Sequence, residues 1–225
     1  MQPDNELPQT LAYFILSKLR WRIITGDLQP GQPLREMEIQ SHYGSSRGPV
    51  RESLRLLLQN GLVEHQQRRG FRVREYSPED IRNIYALRRT LEGMVVSDLE
   101  GRDLTDLVQV LDGRLQIMEV CFKKKDIDGY FLENSEFHQS IIDFTENKPI
   151  AQVLHYVNEI SLPVRYRLMG TSFPTRRSLN YHYEIRDHLA SGNIAQAKDL
   201  TEEHIMANLD RATDSERERV REAAG

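Results

Sequence analysis

Apolar residues recur every three or four positions along most of this chain, the repeat of helices that each bury one face. Leu11, Phe14, Ile15, Lys18, Leu19 and Ile23 fall at that spacing between Leu7 and Ile24, and Gly26-Asp27 closes the segment. A short helix is predicted from Arg35 to His42, then a tight turn centred on Gly44, then a helix from Arg47 to Asn60 with Val50, Leu54, Leu57 and Leu58 on one side. There the period changes. Leu62 to His65 and Phe71 to Val73 read as two short strands, and Gln66 to Gly70 is the polar loop that joins them.

Tyr76-Ser77-Pro78 marks a boundary, because Ser77 followed three residues later by Asp80, with proline between, is a helix start. Beyond it the pattern predicts six amphipathic segments at about 78–100, 104–124, 127–145, 148–169, 175–191 and 194–218, separated by short polar breaks. Short breaks between long helices imply an antiparallel bundle with ligand space between facing helices. The tail DSERERVREAAG reads as polar all round and is expected to fray. The fold class is therefore mainly α. An N-terminal winged helix-turn-helix, three helices plus a small β-hairpin wing, occupies 1–75; a C-terminal antiparallel all-α bundle occupies 76–225.

Charge separates the two parts. Residues 1–75 carry 11 Lys and Arg against 8 Asp and Glu, whereas residues 76–225 carry 19 against 26. A polyanionic partner therefore belongs to the front part alone. No apolar run approaches a membrane span and no signal-peptide pattern opens the chain, so a cytoplasmic protein with no membrane partner is expected. A single cysteine, Cys121, cannot form an internal disulfide.

In the front part the chemistry is basic. Two helices around a glycine turn form the helix-turn-helix outline, whose second helix enters the major groove of double-stranded DNA. Arg47, Arg51 and Arg55 recur every four residues and form a stripe opposite the Val50/Leu54/Leu57 face. Ser45-Ser46 gives that helix a small-residue approach. Arg68 and Arg69 stand at the tip of the hairpin, where a wing reaches a neighbouring groove or phosphate.

In the bundle the chemistry is a set of polar residues on apolar faces. Asn134 and His138, one turn apart, align with Phe131 and Ile141; His182 aligns with Leu179, Ile185 and Leu189; His204 aligns with Ala197, Leu200 and Ala207. Three imidazoles buried without a shared partner would be costly, and one divalent cation satisfies them together. His42, His65, His155 and His188 lack this arrangement and read as surface or structural. Arg88 falls on the inner stripe of Ile81, Ile84, Leu91 and Val95, and its need for an anion can be met by Glu92 one turn on or by a ligand carboxylate. Arg165 and Arg167 are secondary candidates for the same role.

These residues carry a resemblance. PGQPLRE, SSRGPVRESLRLLLQNGLV and RRGFRV keep the order and spacing of the winged-helix domain of GntR regulators; LRRTLE, N-x-x-F-H, H-x-x-I-R-D-H-L-x-S-G-N and the final H-I resemble the FCD domain of the FadR subfamily. The resemblance implies DNA contacts at Arg35, Arg47 and Arg51 and a wing glycine, Gly70, in the minor groove; Ser46 and Arg69 complete the candidate DNA-binding set. Ser45 and Gly48 depart from the family's small aliphatic and threonine. It also implies a divalent metal, zinc first, nickel or manganese next, on Asn134, His138, His182 and His204, with Asn134 in place of the family's aspartate. The implied function is a transcription regulator, a repressor or an activator, binding a pseudo-palindromic operator as a homodimer and controlled by a small organic acid at Arg88. The competing reading is a metal-dependent enzyme using the three histidines; it lacks a general base in line with them.

Overall fold

The computed structural model describes residues 10–224, with side chains to residue 219. The chain divides into two units, one ending at Tyr76 and one beginning at Ser77.

In the first unit, α1 (Leu11–Thr25), α2 (Glu36–Tyr43) and α3 (Arg47–Gln59) pack around a three-stranded sheet. Thr10 caps α1 and Gly26, at φ 85°, ends it. The buried stripe of α1 is Ala12, Ile15, Leu19 and Ile23. Leu11 and Phe14, expected on that stripe, are exposed, because the stripe is rotated about one position from the one the spacing suggested. The stretch before Thr10, including the expected start at Leu7, lies outside the described residues. Val50, Leu54 and Leu57 of α3 are fully buried against α1 and the sheet. The wing is β2 (Val63–Gln66) and β3 (Gly70–Val73), antiparallel with Val63 opposite Val73 and Gln66 opposite Gly70. A third strand, β1 (Pro33–Leu34), pairs antiparallel with β3, with Leu34 opposite Phe71. Two residues show no period, so no pattern along the chain announces this strand.

In the second unit, α4 (Pro78–Ser97), α5 (Thr105–Lys124), α6 (Ile127–Phe144), α7 (Lys148–Thr171), α8 (Arg176–Ala190) and α9 (Ile194–Met206) form the bundle. Ser77 and Asp80 cap α4 reciprocally, with Pro78 in its first turn. α4 lies against α7 and α9, α5 against α6 and α8, and α8 against α9. Leu99, Leu111, Leu115, Phe137, Leu154, Ile185 and Leu189 are at the centre of the core.

The segment expected to run from 194 to 218 is two helices. α9 ends at Met206, and α10 runs from Leu209 to Ala224 and packs on α4 and α7. Neither glycine nor proline marks the break, which leaves Ala207 exposed instead of on the buried face. In the polar tail Glu216 is buried at 1 % exposure and paired with Arg167 of α7 and with Arg219, so this part of the helix is tied to the bundle.

Candidate functional sites

The basic face of the first unit is built from the junction of α2 and α3. Gly44, at φ 57°, caps α2 in the left-handed region and lets the chain reverse within the turn. Ser46 stands exposed at the N-cap of α3 without making a side-chain cap bond, and the first amides of a helix are the groups that can receive a phosphate. Arg47 and Arg51 are exposed, and both are held by one carboxylate: Glu36 meets Arg47 Nε at 3.1 Å and Arg51 Nε at 2.9 Å. That pairing lowers the Glu36 pKa against the opposing effect of its partial burial. Arg35 pairs with Glu38 at 2.8 Å.

Arg35, Glu36, Arg47, Arg69 and Gly70 border one groove between the start of α3 and the wing. Gly70 sits at φ 78°, and nothing lies within 4 Å of where a Cβ would be. Its glycine is thus set by backbone conformation, and the space beside it is open for a groove wall. Glu36 is the residue that sequence reasoning passed over. It closes the motif P-G-x-x-L-x-E, and an acidic residue kept before a basic stripe was the available signal.

In the bundle, α6, α8 and α9 bring His138, His182 and His204 together, with one ring nitrogen from each lying within 4.8 Å of the others. Two of the tautomers follow from a second bond. His138 Nδ1 donates to Glu92 Oε2 at 3.1 Å, and His182 Nδ1 donates to the Ser178 carbonyl at 2.9 Å. The free sides are left without partners: His182 Nε2 and His204 Nδ1 are buried and bonded to nothing. Burial keeps all three imidazoles neutral. It lowers the His138 pKa despite Glu92, takes His182 down to about 3 with help from His138, and takes His204 well below the usual value. Neutral imidazoles with orphaned, converging nitrogens fit a divalent cation. Asn134, itself buried, lines the same cavity as His138 and His204.

That cavity holds about 240 Å³ and is walled by α4, α6, α7, α8, α9 and the start of α10. Tyr85, Arg88, Arg165, Tyr181 and Arg211 contribute to its lining. Arg88 is buried and committed: Nη2 meets Glu92 Oε1 at 2.8 Å, and Nε also meets Asn158. Burial would raise the Glu92 carboxyl, but Arg88, His138 and Arg165 outweigh it and hold it at about 2. Arg167, one of the secondary anion candidates, is turned to Glu216 and away from this lining. Tyr85 and Arg211 carried no sequence signal; Arg211 reaches the cavity because of the unsignalled break before α10.

The carboxylate that touches a site imidazole, Glu92, has both oxygens engaged, and Glu136 is exposed beside Arg114. Neither of these carboxylates is therefore a free base beside the histidines, as the enzyme reading would need. A winged helix with an arginine face, joined to a helical bundle with a histidine-lined cavity, defines a ligand-binding regulator of transcription. The chain belongs to the GntR family: residues 11–73 match the bacterial regulatory proteins of the gntR family, and residues 83–207 match the FCD domain. It is 25 % identical over 211 residues to the HTH-type transcriptional regulator YdhC of Bacillus subtilis, covering 92 % of this chain and 90 % of that one. It is 30 % identical over 173 residues to the gluconate operon transcriptional repressor of Bacillus licheniformis, covering 75 % and 71 %. A solved GntR transcriptional regulator from Rhodococcus sp. RHA1 superposes with a TM-score of 0.74 at 25 % identity, over 89 % of this chain and 96 % of that one. Among the described residues no helix is long and apolar enough to cross a membrane.

Proposed function

We propose that this regulator is a cytoplasmic homodimer that binds a pseudo-palindromic operator and represses transcription until a small organic acid enters the bundle. Arg35, Ser46, Arg47, Arg51, Arg69 and Gly70 meet the DNA, with the recognition arginines in the major groove and the wing beside it. A divalent cation, zinc first, sits on His138, His182 and His204 with Asn134 as a neutral fourth donor. The acid alters the DNA-binding heads because it binds one of their arrangements better than the other. The Bacillus licheniformis relative is named a transcriptional repressor of the gluconate operon, which supports repression and control linked to an organic acid. The observation that carries the reading is the pair of buried, partnerless nitrogens, His182 Nε2 and His204 Nδ1, beside His138.

The test joins two measurements on the full chain. In a mobility-shift assay the protein retards a fragment from its own upstream region, and candidate acids release it. In a melting assay, metal and acid raise Tm without the acid being consumed. Failure to retard that fragment, or consumption of the acid, sinks the reading.

A further inference from the structure

Arg165 of α7 is 7 % exposed, lines the cavity, and differs from every other arginine there. Arg88 is neutralised by Glu92 at 2.8 Å, Arg177 meets Glu184 at 2.7 Å, and Arg211 is exposed to solvent and reaches the Ser172 carbonyl at 3.4 Å. Arg165 has no carboxylate within ion-pair distance among the described residues, and its guanidinium carbon stands 5.9 Å from the centre of the Phe131 ring. Glu92 makes no direct ion pair with it, since one of its oxygens faces Arg88 and the other His138, and acts on it only at longer range. A buried guanidinium that faces a cavity without a counterion requires an anion from outside the chain. Burial and the neighbouring Arg88 depress its pKa to about 9, still cationic at neutral pH.

A second positive charge in the same cavity lacks compensation. Three neutral imidazoles and the Asn134 amide bring no negative charge to an ion held between them. A monoacid can answer one of these two demands. We propose that the cavity recognises a small dianion, one acidic group pairing with Arg165 while the other completes the coordination of the ion at His138, His182 and His204. This rests on the metal-and-acid reading above and names its ligand class. The cavity, about 240 Å³, limits the ligand to a small molecule, so short diacids are the first candidates. Arg165 is then the specificity-determining residue. Its planar fork accepts a carboxylate in two parallel bonds, which Lys cannot reproduce.

The experiment uses the full chain, stripped of metal and then loaded with zinc. Isothermal titration compares succinate with butyrate, malate with 3-hydroxybutyrate, adipate with hexanoate, and galactarate with gluconate. At least one diacid is expected to bind the zinc-loaded protein about tenfold or more tighter than its matched monoacid, the scale of one charge-assisted pair. Arg165→Met should remove that preference without loss of zinc affinity, titrated alone, since a neighbouring cation is taken away; Arg165→Lys should restore part of the preference and serves if the Met variant does not fold. Monoacids binding as tightly as every matched diacid, or a diacid preference that survives both substitutions, overturns the inference while zinc binding stands. A parent chain that takes up neither zinc nor any acid overturns the underlying reading as well.

Discussion

Glu36 and Arg51 lie 2.9 Å apart across the turn between α2 and α3, and the same carboxylate holds Arg47. The two arginines at the start of α3 are therefore held by the protein itself, which under the proposed function arranges them before DNA arrives. Each remains about half exposed or more, so the pairs contribute little to stability, of the order of 0–1 kcal/mol. Arg51→Ala is expected to weaken operator binding by about 1–3 kcal/mol with Tm nearly unchanged. Equal operator affinity in the variant, measured by titration at fixed salt, would remove Arg51 from the interface.

Glu36→Gln separates positioning from charge masking. Without the carboxylate the basic stripe is freer and more strongly charged, so affinity for random-sequence DNA should rise and its salt dependence steepen. Operator affinity should gain less, because the arginines lose their common anchor, and discrimination should fall. An unchanged ratio of specific to non-specific affinity would show that the pairing has no part in recognition.

At the wing, Arg69 is exposed beside Gly70 and the groove that also holds Arg47. Arg69→Ala is expected to lower affinity across all sequences and to reduce the slope of log K against log salt by about one unit. A loss confined to one operator position would instead make it a base contact.

Within the bundle, Arg88 and Glu92 are each about 4 % exposed, and Glu92 stays ionised with its pKa at about 2. Removing the guanidinium leaves a buried carboxylate with His138 as its remaining direct partner. Arg88→Ala should therefore destabilise the protein by about 3–5 kcal/mol, a drop in Tm of roughly 2–4 °C per kcal/mol for a chain of this size. A variant that melts like the parent yet no longer responds to acid would return Arg88 to the role of ligand anchor.

The sequence showed the architecture through period and punctuation. Val50, Leu54 and Leu57 gave α3, Ser77-Pro78 with Asp80 gave the start of α4, and three histidines on three apolar stripes gave the cluster now seen within 4.8 Å. Features set by contacts between distant residues were not legible. Pro33–Leu34 becomes a strand because β3 offers it an edge, and the helix break before Leu209 carries neither glycine nor proline. Helical spacing placed Arg88 on an inner face and left Arg165 a secondary candidate, but it could not say which one a carboxylate already held. That depended on both oxygens of Glu92, one directed at Arg88 and the other at His138.

Asn134 supplies the last test. It is buried in the cavity wall, one turn before His138, where the family resemblance implies an aspartate. An amide oxygen can coordinate a divalent ion but adds no charge, so the ion depends on an incoming anion for neutrality. Metal is expected to bind weakly to the acid-free protein and tighter once a carboxylate is present. Reciprocity requires the metal to tighten acid binding by the same factor. Asn134→Asp should raise the affinity for metal alone and shrink that coupling, because the protein then supplies the charge the acid had brought. Titrating zinc into stripped parent and variant, each with and without acid, gives all four affinities. Equal zinc affinities in the parent's two arms would break the coupling, and no loss of zinc binding on His182→Ala would leave the histidines as core residues.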